Sequence, residues 1–511
     1  MLGLLFATLL ALGLRCPDLA VRPMHNDEAV NAVKLRPLLE QGTYRYDPQE
    51  HHGPTLSYFA LAWTRVTGAG NFTTLSEARL RGLTVLFGVG LILLLPLVLD
   101  GLGRGATVCS AVLIAISPAM VFYSRYFIHE MLLVFFTFLA LAAFWRFYRD
   151  GKIRWAVIAG AAMGLMQSTK ETFVLSLAAA GVALLVNKLW TRSGDVPAAG
   201  ARKLGKPVAA AILAWFVVVV VFLSSFFSNA DGPLDSIRTY LPWAGRAAGN
   251  SPHLHPWDFY LTRLAFFHTP GGPVWSEGLI LGLAGIGMVA AFTRRGAVEG
   301  KGNFHRFVAL YTLTLAAIYS GIAYKTPWCL LSFWHGAILL AGVGAVAVWR
   351  LVRGRWAKRI VVVLLFAGAG QLAFQAWQLS GIFCADRRNP YVYAQTSPDV
   401  LELVGVVQAL ARTSHQGRQT PVHVIAPGGD YWPLPWYLRS LDQVGWWSEL
   451  PDEPPAPVMI VATQSAARLD ETGSGLVMAG TFQLRPGTFL ALYVQPDLWQ
   501  AYLAAKAKTG F

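Results

Sequence analysis

Acidic and imidazole side chains are concentrated just after the first apolar run of this chain. The sequence His25-Asn26-Asp27-Glu28 places two adjacent carboxylates where that run gives way to a polar segment. Such residues can cap a helix, because Asn or Asp accepts hydrogen bonds from free backbone N–H groups and Glu is stabilised at the positive helix end. A carboxylate beside a membrane can also remove a proton from a hydroxyl. The sequence leaves both interpretations of Asp27 and Glu28 open.

Two histidines occur later in the same segment, in Glu50-His51-His52-Gly53-Pro54. Gly and Pro favour a fixed turn, which would present the imidazoles of His51 and His52 to a substrate. An exposed polar loop is the alternative. The region also offers ligands for a divalent metal, although their spacing is not specific for one. The candidate metal ligands are Asp27, Glu28, His52 and Glu130.

Three further groups of ionisable residues lie within or beside apolar runs. Such residues are candidates for function, because a charge at membrane depth is costly unless it is used or paired. Arg125 could instead extend its head group to the membrane surface. Lys170 could form a structural ion pair with Glu130 or Glu171. All of these residues are predicted to contact the substrate: Arg125, His129 and Glu130; Lys170 and Glu171; and Lys325.

These residue types suit one reaction, the transfer of a sugar from a polyprenyl phosphate to an acceptor hydroxyl. The hydroxyl needs a base, and Asp27 can supply it if the two groups come within hydrogen-bonding distance. The leaving group is a lipid phosphate, which cationic side chains stabilise. Arg125, Lys170 and Lys325 are the candidate cations. A lipid substrate also explains a site at the membrane edge, because the polyprenyl tail stays in the bilayer.

The elements that would position these residues are membrane-spanning helices. Hydrophobic residues make up 55% of the 511 residues and charged residues only 14%, whereas soluble domains carry about 25% charged residues. The net charge of +14 does not indicate nucleic-acid binding, because most Lys and Arg lie in short loops between apolar runs. Of the spans predicted by length, 155–169 and 172–189 could instead be one broken helix. About eleven spans are predicted: 2–15, 79–99, 106–124, 130–148, 155–169, 172–189, 207–227, 276–293, 305–323, 328–349 and 360–380.

Alternate loops are basic, which predicts an orientation by the positive-inside rule. The N-terminus would be cytoplasmic in a multi-pass protein of the cell membrane. The segments predicted to lie on the outer side are 16–78, 125–129, 170–171, 228–275, 324–327 and 381–511. All the candidate residues then face outward. Residues 28–40 and 54–68 are predicted to form helices along the membrane surface.

The chain divides into a predicted membrane domain, residues 1–380, and a small extracytoplasmic α/β domain, residues 381–511. After residue 380 the apolar runs shorten and alternate with helical patterns, which favours a mixed domain. Trp432 and Trp436 could stack against sugars or could belong to the core of this domain. The predicted strands are 422–425, 458–461 and 489–494, and the predicted helices are 398–412 and 496–507.

The order of these motifs resembles the GT-C glycosyltransferases of the protein mannosyltransferase and lipid A aminoarabinose transferase type. Within that superfamily the chain is most similar to the flippase activity-associated proteins of archaea and bacteria. The resemblance covers nearly the whole chain and rests on short motifs in a fixed order. They are His25-Asn26-Asp27-Glu28-Ala29, His52-Gly53-Pro54, Ser124-Arg125-Tyr126, Lys170-Glu171-Thr172, Tyr324-Lys325-Thr326-Pro327-Trp328 and Asp430-Tyr431-Trp432-Pro433-Leu434-Pro435-Trp436-Tyr437.

The resemblance implies a transferase that uses a lipid-phosphate-linked sugar, with a glycan, lipid or protein as acceptor and membrane lipids around it. It assigns the catalytic base to Asp27, with Glu28 beside it. His52 stands where related transferases often have a lysine before Pro-Pro, so the contacts with the carrier phosphate would differ here. The alternative function is a flippase for lipid-linked sugars, or an accessory of one, without transferase activity. A transporter would show corresponding broken helices in two halves, and the sequence shows no such symmetry.

Overall fold

Long apolar helices make up most of the chain, and they lead into a small sheet domain. In this computed structural model, each of the eleven predicted spans corresponds to a helix or to a bent pair of helices. The described residues are 1–48, 52–68, 70–190, 204–247, 253–293, 302–471 and 474–509. The apolar helices are Leu2–Arg15, Glu77–Leu94, Arg104–Ile116 with Pro118–Ser124, Glu130–Asp150, Ile153–Gln167, Phe173–Trp190, Gly205–Leu223, Gly278–Phe292, Gly302–Gly321, Leu331–Leu351 and Arg355–Ser380.

Six helical stretches of the described chain are long and apolar enough to cross a membrane, and a bent pair makes a seventh. The bend, 58° between Arg104–Ile116 and Pro118–Ser124, falls at a proline, which lacks the N–H that would continue the helix. The chain is therefore a multi-pass membrane protein. The count of about eleven spans stays a prediction. Three further apolar helices are shorter: Leu2–Arg15, Ile153–Gln167 and Gly278–Phe292.

The apolar stretch 155–189 forms two helices, Ile153–Gln167 and Phe173–Trp190, rather than one broken helix. Residues 168–172 separate them and run without helical hydrogen bonding over part of their length. Backbone N–H groups of Gly53 and Thr55 donate to carbonyls in this break. The first polar segment therefore packs against the break between these two helices.

Two helices of the first polar segment lie where the surface helices are predicted, and their placement along the membrane surface stays a prediction. They are Asn26–Glu40 and Thr55–Val66, where 28–40 and 54–68 were expected from the pattern. The cap of the first helix is His25 rather than Asn26 or Asp27, since the His25 side chain accepts a hydrogen bond from the Asp27 N–H. The remaining short helices before residue 380 are Phe72–Thr74, Leu95–Val98, Leu99–Leu102, Gly232–Arg238, Tyr240–Ala247, Phe259–Ala265 and Pro327–Leu330.

The C-terminal domain is a five-stranded mixed sheet with helices on it, as the alternating pattern predicts. The strands are β1 Val422–Ile425, β2 Val444–Trp447, β3 Val458–Ala462, β4 Val477–Arg485 and β5 Thr488–Val494. They lie in the order β2-β1-β3-β5-β4, with β1 parallel to β2 and β3, and β5 antiparallel to β3 and β4. The helices of this domain are Asp399–Thr413, Gly417–Gln419, Pro427–Gly429, Leu434–Tyr437, Thr463–Glu471 and Pro496–Thr509.

The C-terminal domain packs directly on the first polar segment of the membrane domain. The Tyr437 hydroxyl accepts a hydrogen bond from the Met24 N–H at 2.8 Å. Trp436 is fully buried, and its indole N–H donates to Glu77 Oε1 at 2.7 Å. Trp436 therefore belongs to the interface between the two parts of the chain and does not face solvent.

Candidate active site

A cavity of about 1050 Å³ lies between one end of the helix bundle and the C-terminal domain. It is called the polar cavity here, because ionisable side chains line it. It is lined by the start of the helix Asn26–Glu40, the break at residues 168–172 and the segment around Tyr240. Gly428 and Trp432 of the C-terminal domain complete it. The predicted site residues that line it are Asp27, His52, His129, Glu130, Lys170 and Glu171.

Asp27 lies in the first turn of the helix Asn26–Glu40, and 46% of its side chain is exposed to the cavity. His25 Nδ1 accepts a hydrogen bond from the Asp27 N–H at 3.1 Å, while His25 Nε2 lies 3.1 Å from the Tyr393 carbonyl. These two contacts require the neutral tautomer with the proton on Nε2. The Asp27 carboxylate is therefore oriented by its backbone and is not neutralised by the adjacent imidazole.

Glu28 is fully buried and does not line the cavity, although the sequence placed it beside Asp27 as a catalytic candidate. Its carboxylate forms ion pairs with Arg22 at 3.0 Å and with Arg81 at 2.8 Å. It also accepts hydrogen bonds from the backbone N–H groups of His25 and Phe127, both at 2.9 Å. Burial alone would raise the pKa of Glu28, but the two guanidinium groups hold it well below its ordinary value. Glu28 is therefore an anchored anion.

His52 is positioned by a close contact between the first polar segment and the helix break. The Gly53 N–H donates to the Thr169 carbonyl at 3.1 Å, and the Thr55 N–H donates to the Ser168 carbonyl at 3.2 Å. A Cβ atom at Gly53 would lie 2.1 Å from the Ser168 carbonyl oxygen. Only glycine fits this approach, because it has no Cβ. The glycine of the His52-Gly53-Pro54 motif is thus explained by packing.

The break itself carries two buried ion pairs that face the cavity. Lys170 pairs with Glu130 at the start of the helix Glu130–Asp150. Glu171 lies 2.9 Å from His52 Nδ1. Burial alone would lower the pKa of Lys170, but the carboxylate of Glu130 raises it well above its ordinary value. Burial would raise the pKa of Glu171, but His52 and then Lys170 bring it below its ordinary value.

His129 completes this charged wall as a neutral imidazole. Its Nε2 lies 3.2 Å from the Gly53 carbonyl, and its ring stands edge-on to His52 at a centroid distance of 5.2 Å. Burial, followed by the charges on His52 and Lys170, places the pKa of His129 well below its ordinary value. The ring therefore donates to a backbone carbonyl without adding a charge.

Arg125 and Lys325 do not line the cavity, contrary to the arrangement expected from the sequence. The Arg125 guanidinium donates to the carbonyls of Arg15 and Pro17, among others. Burial lowers the pKa of Arg125 to about 10, which leaves it charged. Lys325 lies between two lining residues, but its ammonium donates to the carbonyls of His255 and Ile322. Backbone carbonyls thus hold both cations.

The four candidate metal ligands do not come together as one set. Glu28 is held by two arginines and Glu130 by Lys170. Within the described ranges of the chain, no three His, Cys, Asp or Glu side chains are grouped closely enough to hold a metal ion. His51, the other candidate for substrate binding, lies outside the described residues. A metal requirement stays an untested prediction.

Sequence reasoning missed Tyr240 and Trp243 of the cavity and the two arginines that bind Glu28. Trp243 stacks on His52 with ring centroids 5.4 Å apart and an angle of 18°. The Tyr240 hydroxyl donates to the Glu171 carbonyl at 3.0 Å. Arg22 and Arg81, which bind Glu28, had no motif to mark them. Arg22 and Arg81 each lie beside an apolar run. A charged residue in such a position needs a partner, and this requirement was the signal that could have pointed to them.

Comparisons with known proteins show what this chain is similar to. A model of the dolichyl-phosphate-mannose-protein mannosyltransferase family matches residues 56–229. That segment includes His129, Glu130, Lys170 and Glu171, four residues of the charged wall. A search of curated protein sequences gave no significant match.

Two solved structures share the fold. ArnT from Cupriavidus metallidurans, solved bound to undecaprenyl phosphate, is 15% identical with a TM-score of 0.62, and 97% of this chain and 98% of that chain are covered. The oligosaccharyltransferase AglB from Archaeoglobus fulgidus is 13% identical with a TM-score of 0.57. That match covers 86% of this chain and 63% of AglB, so the chain spans less than two thirds of the archaeal protein.

The shared fold is that of multi-pass membrane glycosyltransferases, and the matched segment fits the model of a glycosyltransferase family. The chain is thus similar to the GT-C glycosyltransferases, as the order of its motifs predicts. The narrower resemblance to the flippase activity-associated proteins stays a prediction.

Proposed function

We propose that this protein transfers a sugar from a polyprenyl-phosphate donor to an acceptor hydroxyl at the outer face of the cell membrane. The observation that carries the proposal is the position of Asp27. It is an exposed carboxylate in a cavity that is also lined by His52, Glu130, Lys170 and Glu171 from other elements. The solved structure of ArnT with undecaprenyl phosphate supports a donor of this chemical class.

Asp27 acts as the general base in this proposal. The acceptor oxygen attacks the anomeric carbon of the donor sugar, and the acceptor proton passes to the Asp27 carboxylate. The bond between the anomeric carbon and the phosphate oxygen breaks, so the lipid phosphate leaves as an anion. The new glycosidic bond replaces it. Glu28 takes a positioning role, because its ion pairs with Arg22 and Arg81 fix the turn that carries Asp27.

The leaving phosphate meets the wall formed by His52 and Lys170. Lys170 is a cation held in place by Glu130. The His52 imidazole is held in place by Glu171. Fixed charges of this kind stabilise a developing anion without having to reorganise. Arg125 and Lys325 are left out of this role, because neither of them lines the cavity.

The acceptor enters from the side of the C-terminal domain in this proposal. Trp432 and Gly428 of that domain line the cavity together with Asp27. A glycan, a lipid or a protein hydroxyl would each suit an aromatic rim with few fixed charges. The outer placement rests on the distribution of basic loops.

The test is transfer of label from a polyprenyl-phosphate sugar by the purified protein, with total membrane glycoconjugates as acceptors. Asp27→Asn keeps the size and the backbone hydrogen bond but removes the base, and we expect transfer to fall by roughly 100-fold or more. Glu40→Gln is the matched control, since Glu40 ends the same helix in an exposed pair with Arg36. It should transfer as the native protein does.

Two results would contradict the proposal. Asp27→Asn could transfer at the native rate, in which case another group is the base. The native protein could also consume no lipid-linked sugar across a broad donor panel. The cavity would then be a binding site of a flippase or flippase accessory, which was the alternative from the sequence.

A further inference from the structure

A second cavity, of about 1450 Å³, lies at the opposite end of the helix bundle from the polar cavity. The stretch Pro327–Leu351 connects the two, because Trp328 lines the polar cavity and Arg350 lines the second one. Twenty-two helical steps of 1.5 Å separate these residues by about 33 Å. This is close to the hydrocarbon thickness of about 30 Å. The second cavity, here called the distal groove, therefore lies near the other membrane surface.

The wall of the distal groove is apolar and open. Gly282 and Gly285 of the helix Gly278–Phe292 line it, and a Cβ atom at either position would meet nothing within 4 Å. Val289, on the same helix, is 66% exposed, and Leu351 is 64% exposed. In a multi-pass membrane protein, apolar side chains exposed on helices of the bundle are expected to face lipid. The groove thus opens sideways to the acyl chains of the bilayer.

Three arginines lie along the polar edge of this groove. Arg104, Arg350 and Arg353 are exposed, and none of them forms an ion pair or hydrogen bond with another described residue. The acidic residue of the groove is Asp100, and its carboxylate is already engaged by Arg146 and Arg149 at 3.3 Å each. Within the part of the chain that the structure describes, the edge therefore carries a positive charge that no acidic side chain offsets.

The remaining polar groups of the groove do not change this balance. Asp100 Oδ1 also accepts from the Trp145 indole N–H at 2.9 Å. His305 Nε2 lies 3.1 Å from the Leu102 carbonyl oxygen, so this ring nitrogen is engaged by the backbone. The three arginines are thus the groups left to meet a ligand at the membrane surface.

We infer that the distal groove binds an anionic membrane phospholipid. An acyl chain fills the apolar wall beside Gly282 and Gly285, and the lipid phosphate lies on the arginines. An anionic lipid fits better than a zwitterionic one, because a zwitterionic lipid brings its own ammonium to an edge that already has three cations. Each Lys or Arg near a membrane surface adds to the attraction for anionic lipid. This site is independent of the proposed transfer reaction.

The experiment measures lipid retention by native mass spectrometry on the purified full chain in detergent, without any sugar donor. The probes are phosphatidylglycerol and phosphatidylcholine with identical acyl chains. We expect the native protein to retain phosphatidylglycerol. The triple variant Arg104→Gln, Arg350→Gln, Arg353→Gln should retain at least roughly tenfold less phosphatidylglycerol than the native protein.

Two further variants separate this site from general surface charge. The triple change Arg355→Gln, Lys358→Gln, Arg359→Gln removes the same charge from residues that do not line the groove, so retention should match the native protein. Gly285→Leu fills open space in the groove and should lower retention while the arginines remain. Equal retention of both lipids by the native protein would overturn the inference. So would native-like retention by the groove triple variant, or an equal loss in the control triple variant.

Discussion

Glu28 and Arg81 form a bidentate ion pair inside the protein, with Nε of Arg81 2.8 Å from Oε1 and a terminal nitrogen 2.9 Å from Oε2. Glu28 directly follows Asp27 in the first turn of the surface helix, while Arg81 belongs to the helix Glu77–Leu94. The pair joins the helix that bears the proposed base to a helix of the bundle. One residue of the acidic pair thus fixes the direction in which the other points.

The variant Glu28→Gln tests this division of roles. It leaves Arg22 and Arg81 without a counter-charge in a buried site, and breaking such a pair costs roughly 3–5 kcal/mol. We therefore expect a large fall in melting temperature together with a loss of transfer. Asp27→Asn should lose transfer with a native melting temperature. If Glu28→Gln keeps native stability and only transfer is lost, Glu28 takes part in the reaction directly and the positioning role is wrong.

The variant Gly53→Ala tests the contact that positions His52. The added methyl overlaps the Ser168 carbonyl oxygen, so the first polar segment and the helix break must move apart. Forcing extra atoms into a packed site costs roughly 1–3 kcal/mol, and transfer should fall because His52 and Lys170 shift relative to each other. Gly70→Ala is the control, since a Cβ there meets nothing within 4 Å. An active, fully stable Gly53→Ala would show that this contact does not position the site.

The sequence predicted the helices of the membrane domain because their apolar runs are long and bounded by charges, Gly or Pro. It missed β2 and β4 of the C-terminal domain for a physical reason. Both are edge strands, partly exposed and without a continuous apolar run, whereas the central strand β3 is buried along its whole length. Periodicity marks burial, and edge strands are only partly buried.

The site was predicted by residue type more reliably than by geometry. Asp27, His52 and Lys170 were expected in one cavity and lie there. Arg125 and Lys325 were expected beside them, but each is engaged by backbone carbonyls, which carry no signal in the sequence. A charge in an apolar run shows that a partner is needed. The sequence does not show whether that partner is a substrate or the protein itself.

A double variant separates structure from function at the Lys170–Glu130 pair. Lys170→Met alone leaves Glu130 buried and unpaired, which should destabilise the protein by roughly 3–5 kcal/mol. Adding Glu130→Leu removes both charges and should restore most of the melting temperature. We expect transfer to stay lost in the double variant, because the phosphate loses a cation. Recovery of transfer along with stability would assign the pair a structural role only.

Trp432 and Trp436 should respond differently to substitution, although they lie four residues apart. Trp432 lines the cavity, whereas Trp436 is fully buried and donates to Glu77. Trp432→Ala should raise the KM for the acceptor by roughly tenfold while the melting temperature stays near native. Trp436→Ala should lower the melting temperature, since a buried Trp→Ala change costs roughly 3–5 kcal/mol. If Trp432→Ala leaves every acceptor KM unchanged, the C-terminal domain does not bind the acceptor through this residue.

The stability of the folded protein should decrease on mild acidification, and His129 should account for part of the decrease. Burial, followed by His52 and Lys170, keeps the pKa of His129 well below its ordinary value, so the folded protein holds this imidazole neutral. In the unfolded chain the same ring takes up a proton below about pH 6.5. The unfolded state then binds more protons than the folded state, so the free energy of unfolding falls as the pH drops through this range.

The measurement is the melting temperature between about pH 7.5 and about pH 5.5, which spans the ordinary imidazole range. The native protein should lose stability toward the acid end, and His129→Gln should lose less, because its amide can donate to the Gly53 carbonyl without titrating. His415→Gln, at an exposed position of the C-terminal domain, should follow the native curve. An unchanged slope in His129→Gln would mean that this imidazole is not the group that links protonation to folding.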